Sequence, residues 1–165
     1  MAAQRVILPG VGAFGAAMGE IDRLGLRRAI ADRISEGRPT LAVCVGMQIL
    51  FEKSDESPDV AGLGVVQGDV GRFPTGLRVP NMGWHQISAA PDSTFVEPGW
   101  AYFANSYRAA SPPPGWTVSM TEYGGEFCAA IEKDLILACQ FHPELSGDWG
   151  HSLLRRWIEA TGGMT

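Results

Sequence analysis

The sequence lacks the features that mark several protein classes. It has three cysteines, Cys44, Cys128 and Cys139, far apart and without a Cys-x-x-Cys pair. An odd, scattered set makes a poor disulfide framework and a poor structural zinc site, so reduced thiols, a cytoplasmic setting and no metal are expected. No run reaches the roughly 18 apolar residues of a membrane-spanning helix, so no membrane association is expected. Residues 1–5 show no charged leader followed by an apolar stretch, so no signal peptide is expected. An excess of positive charge is missing too. The formal net charge is -5, which disfavours nucleic acid as a partner because phosphates need a basic footprint. There is no internal repeat, low-complexity tract or linker. A chain of 165 residues, 45% hydrophobic and 19% charged, is expected to form one domain over residues 1–165. That length suffices to bury a core without staples.

What is present has a clear order. Residues 5–8 are a short apolar run stopped by Pro9-Gly10, as a buried strand would be. In residues 12–37, Ile21, Leu24, Ile30 and Ile34 recur at helical spacing, and Gly25 divides the segment into two helices. Residues 40–45 form a second buried strand, and residues 47–53 read as a helix. Strand, helix, strand, helix is the pattern of parallel βαβ units. Residues 62–88 suggest short strands, and residues 100–109, 116–122, 127–132 and 135–141 read as further ones. The run Pro112-Pro113-Pro114 must be loop, since three prolines remove three ladder donors. Residues 150–160 form a closing helix with Leu153, Leu154 and Trp157 on one face. The fold class is α/β, with a β-rich second half.

Three pieces carry chemistry. Cys44 stands where an apolar strand meets a helix, with Ala42 and Gly46 two residues either side. Small flanking residues are what a sharp nucleophile elbow requires. The first helical turn would lower the thiol pKa. The competing reading is a buried core cysteine. The second piece is Gln140-Phe141-His142-Pro143-Glu144. Pro143 keeps His142 extended, and positions two apart in an extended chain share a side. Glu144 can then hold one imidazole nitrogen while the other faces a nucleophile. A surface His-Glu pair is the plainer alternative. His151 reads as solvated, and His85 lies in a turn-rich segment without an assignable role. The third piece is Gly10-Val11-Gly12-Ala13-Phe14-Gly15, a match to the dinucleotide fingerprint G-x-G-x-x-G. The next strand ends without the acid that would hold a ribose. The other use of such a loop is to offer backbone N–H groups to an oxyanion.

Taken together, Pro9 to Phe14, Cys44-Val45-Gly46-Met47-Gln48, Met82-Gly83-Trp84, Tyr102 to Tyr107 and Gln140 to Glu144 occur in one order that resembles the class I (triad) glutamine amidotransferases. Within them the pattern is most similar to the glutaminase subunits that serve imidazole glycerol phosphate cyclases. The resemblance implies a flavodoxin-like, mostly parallel sheet flanked by helices. It implies Cys44 as nucleophile on the glutamine amide, His142 as proton shuttle and Glu144 as its orienter. Gly10, Val11 and Gly12 would form the oxyanion loop. Gln48, Glu56, Ser106 and Tyr107 would hold glutamine. Pro80, Met82 and Trp84 would face a (β/α)8 cyclase in a heterodimer that takes up the ammonia for histidine biosynthesis. No cofactor is implied. The alternatives are the glutaminase subunit of an anthranilate, aminodeoxychorismate or GMP synthase, or a silent, truncated homologue.

The sequence departs from the family pattern in two ways. Family members carry a strand and a helix ahead of the Pro-Gly-Val-Gly loop, so an N-terminally shortened fold with an unpaired sheet edge is expected. Asn81 and Asn105 stand where the family usually has histidine, and His85 where it has asparagine. These changes bear on coupling to the cyclase rather than on the triad.

Overall fold

The structure is a computed structural model that describes residues 3–162. The outermost residues of the expected 1–165 span, including the first two of the stretch read for a leader, lie outside the described residues. The elements in chain order are β1 (Val6–Leu8), α1 (Phe14–Arg23), α2 (Arg27–Ser35), β2 (Thr40–Val43), α3 (Val45–Gln48) and β3 (Lys53–Ser54). They continue with β4 (Asp69–Arg72), β5 (Asn81–Ile87), β6 (Gly99–Asn105), β7 (Tyr107–Arg108), β8 (Thr117–Glu122), β9 (Glu126–Lys133) and β10 (Ile136–Cys139). A 3-10 turn, Pro143–Leu145, leads into α4 (Gly147–Ala160). No helix among the described residues is long and apolar enough to cross a membrane.

Five strands form the central sheet in the order β1-β2-β10-β9-β8. β1, β2 and β10 are mutually parallel, and β9 is antiparallel to both its neighbours, so four of the five strands run the same way. β2 and β10 are buried at every position. Strands covered on both faces read as unbroken apolar runs, which is why residues 40–45 and 135–141 stood out. The pleat sends alternate residues to opposite layers. Leu41, Val43, Leu137 and Cys139 pack with Leu153 and Trp157 of α4 and with Phe103 of β6. Ala42, Ile136 and Ala138 pack with Ile30 and Ile34 of α2 and Met47 of α3. β1 is the outermost described strand at one edge, with Ile7 60% exposed.

Two local expectations need correction. The helix after β2 is confined to Val45–Gln48 rather than residues 47–53. The carbonyls of Ile49, Leu50, Phe51 and Glu52 are taken by backbone N–H groups of residues 62–66, so they are unavailable to a continuing helix. The segment around His85, read as turn-rich within a stretch of short strands, is one continuous seven-residue strand. β5 pairs antiparallel with β6 through the whole register from Asn81↔Asn105 to Ile87↔Gly99. By contrast, the break between α1 and α2 falls where Gly25 adopts φ +65°, a conformation that favours glycine.

Candidate active site

Cys44 occupies a strained corner. Its φ of 49° and ψ of −111° lie outside the usual range for a side-chain-bearing residue. Two glycines leave room for this corner. A Cβ on Gly46 would stand 2.3 Å from the Leu8 carbonyl oxygen, and one on Gly10 2.6 Å from the Cys44 Cβ. The expected elbow is therefore the observed one. The Cys44 N–H donates to the Cys139 carbonyl at 2.7 Å, which ties the corner to the neighbouring parallel strand.

The thiol behaves differently from expectation. Burial pushes its pKa up to about 11, and the carboxylates of Glu144 and Glu56 add to the rise. The Val45 backbone N–H and the Gln140 amide oppose this without reversing it. A four-residue helix offers too little to offset desolvation of a thiolate. At neutral pH the Cys44 thiol is therefore protonated.

An imidazole stands nearby. His142 and Gln140 lie just past the end of β10, beside the β2 end that carries Cys44, because the β10–β2 register sets Cys139 opposite Val43. The Glu144 carboxylate is 2.8 Å from His142 Nδ1. Glu144 reaches it from the 3-10 turn rather than from an extended chain. The His142 backbone is clamped. Its N–H donates to the Tyr102 carbonyl at 2.9 Å, and its carbonyl accepts from Ser146 Oγ at 2.7 Å. The same Ser146 hydroxyl accepts from the Tyr102 N–H at 2.9 Å. Among the described residues His142 Nε2 has no hydrogen-bond partner. The sulfur contacts the Ala104 carbonyl at 4.0 Å and Gln140 Nε2 at 3.7 Å, not the imidazole.

One cleft gathers Gly12, Cys44, Gln48, Glu56, Pro80, Ser106 and Tyr107. A second, next to it, is lined by Pro9, Gly10, Val11, His142 and Glu144. The glycine loop is the wall they share. Gly12 has φ +87°, and among the described residues the N–H groups of Gly10, Val11 and Gly12 donate to nothing. The residues expected to hold glutamine thus line the cleft of the cysteine. Glu56 also accepts from the Phe14 N–H at 2.7 Å and so caps α1.

The family profile described as glutamine amidotransferase class-I matches residues 2–160. This chain belongs to the class I glutamine amidotransferases. It is 45% identical over 161 residues to the imidazole glycerol phosphate synthase subunit HisH of Methanothermobacter thermautotrophicus, covering 96% of this chain and 80% of that one. It is 42% identical to the chloroplastic imidazole glycerol phosphate synthase hisHF of Arabidopsis thaliana, covering 94% of this chain and 28% of that longer one. The fold is similar to a crystal structure of a glutamine amidotransferase with a TM-score of 0.74 at 22% identity, covering 96% of this chain and 79% of the other.

In this amidotransferase the β5–β6 hairpin carries an exposed aromatic face. Met82, Trp84 and Trp100 are 64%, 50% and 55% exposed. Trp84 pairs across the hairpin with Tyr102, ring centroids 6.0 Å apart. Pro80 sits at the lip between this face and the Cys44 cleft. The three unusual polar residues meet here. His85 Nε2 lies 2.7 Å from Asn81 Oδ1, and Asn81 Nδ2 donates to Asn105 Oδ1 at 3.4 Å. Burial lowers the His85 pKa, which favours the neutral ring. His151 is exposed on α4, as expected. Tyr102 and Gln140 were quoted within motifs but given no role of their own from sequence, and Ser146 was not singled out. A serine four residues after His142 and just before a helix was the available signal for Ser146.

Proposed function

We propose that this chain is the glutaminase subunit of an imidazole glycerol phosphate synthase. The observation that carries the reading is the strained Cys44 elbow beside the Glu144-bound imidazole, in a chain 45% identical to a HisH subunit. Glutamine enters the cleft of Gln48, Glu56, Ser106 and Tyr107. His142 Nε2 takes the thiol proton as sulfur attacks the amide carbon. The loop N–H groups of Gly10 to Gly12 receive the oxyanion. The C–N bond breaks, His142 returns the proton to nitrogen, and ammonia leaves a glutamyl thioester. Water, deprotonated by His142, then releases glutamate and restores the thiol. Glu144 holds the tautomer throughout.

The raised thiol pKa fits a subunit that idles alone. The partner is a (β/α)8 cyclase docked on Pro80, Met82 and Trp84. It consumes the ammonia in histidine biosynthesis in the cytoplasm. Glutamate release should be measured with and without an imidazole glycerol phosphate cyclase, beside Cys44→Ala. Turnover that rises with the cyclase and vanishes in the variant supports the reading. Equal turnover with and without it, or turnover surviving in Cys44→Ala, refutes it.

A further inference from the structure

Gln140 is 1% exposed, and its backbone N–H is bound to the Ala129 carbonyl at 2.8 Å. Its side chain lies between two groups of the site. Oε1 accepts from Gln48 Nε2 at 2.9 Å, and Nε2 points at Cys44 Sγ at 3.7 Å. Which end of an amide faces which neighbour has to be argued from the network. Here a backbone carbonyl settles it. Gln48 Nε2 also contacts the Tyr107 carbonyl at 3.1 Å, and a carbonyl only accepts. Gln48 therefore presents its NH2 group, whose second hydrogen requires the oxygen of Gln140. That leaves the Gln140 NH2 group facing sulfur. Asn105 Nδ2 donates to the same Tyr107 carbonyl at 2.9 Å and holds it in place.

We propose that Gln140 is a positioning residue that aims a side-chain N–H at the Cys44 sulfur and holds that sulfur for attack. A sulfur atom that loses its proton becomes a pure acceptor, so this donor strengthens as the thiolate forms. Gln48 has a second task besides lining the glutamine cleft: it locks the polarity of Gln140. The inference rests on Cys44 being the nucleophile. The carboxylates bearing on the thiol are those of Glu144 and Glu56, and they and the imidazole of His142 are unaltered in the variants below.

The test is the pH profile of Cys44 alkylation by iodoacetamide, read residue by residue by mass spectrometry on the folded chain. Gln140→Met removes the donor and keeps the volume. It should move the profile to higher pH and slow alkylation at pH 8 by about tenfold, the consequence of a shift of about one unit. Gln140→Glu keeps the acceptor for Gln48 but turns a carboxylate toward sulfur, and should slow it more. If Gln140→Met does not fold, the Glu variant carries the test alone. A profile unchanged in a folded variant overturns the proposal. Glutamine turnover is scored separately. A shifted profile in a chain that never hydrolyses glutamine would leave this donor standing and remove the glutaminase reading.

Discussion

Gly46→Ala tests the elbow from its tightest point. In most helices an alanine in place of glycine stabilises by up to about 1 kcal/mol. Gly46 sits in α3 with φ outside the left-handed range, so propensity alone predicts a gain. The close approach predicts the reverse. The new Cβ would lie 2.3 Å from the Leu8 carbonyl oxygen and 2.9 Å from its carbon. An ordinary contact begins at 3.4 Å, which requires a separation of about 1.1 Å, and both sides are backbone. β1 cannot yield alone, because Leu8 is in register with Ala42 on β2. Overpacking of this kind costs about 1–3 kcal/mol, and a backbone obstacle belongs at the upper end. The net expectation is a loss of about 2 kcal/mol in urea unfolding. A displacement approaching 1 Å at the nucleophile should also cut glutamine turnover by about 100-fold. Gly19→Ala is the control: in α1, with nothing within 4 Å of the new Cβ, it should stabilise by about 0.5–1 kcal/mol. A Gly46→Ala protein as stable as its Gly19→Ala counterpart would refute the close-approach argument.

Other outcomes follow from the same geometry. Ser146→Ala removes the hydroxyl that bridges Tyr102 and His142. It should lower kcat by about tenfold with KM little changed, and lower stability by about 1–2 kcal/mol. Trp84→Ala should weaken binding of the cyclase by about 2 kcal/mol in titration calorimetry, as loss of an aromatic anchor does, while the isolated chain keeps its fold. Burial raises the pKa of Cys44 to about 11 and of Cys128 to about 12. The folded state then holds protons that the unfolded state releases near pH 9. Stability is intact below that pH and falls as pH rises from about 9 toward 11, by up to about 1.4 kcal/mol per unit per thiol. In Cys128→Ala, thermal melts between pH 9 and 10.5 should lose the share due to that thiol. An identical slope would contradict the assignment.

The legible parts of the sequence were those governed by local rules. The buried strands β2 and β10 and the helices split at Gly25 announced themselves by apolar runs, spacing and a breaker. Cys44 with its small flanks, and His142 with Glu144, were visible because each signal fits within five residues. Contacts across long sequence separations were not legible. The early end of α3 depends on residues 62–66 claiming its carbonyls. The strands β5 and β6 were read within residues 62–88 and 100–109, but their pairing was not, because half of each strand faces outward, where Met82, Trp84 and Trp100 break the usual polar alternation. The direction of the thiol pKa was misread because local helix geometry suggested a fall, whereas burial beneath the whole fold decides it. Gln140 gained meaning only when Gln48, distant in sequence, was placed against it.

The central claim is that Cys44 is the nucleophile toward glutamine. A chloroketone analogue of glutamine, incubated with the chain and its cyclase and followed by peptide mass spectrometry, tests it most directly. The account predicts a single adduct on Cys44, slowed by glutamine and absent from Cys44→Ala, with Cys128 and Cys139 unlabelled. Labelling confined to another residue, with glutamine turnover intact, would contradict it.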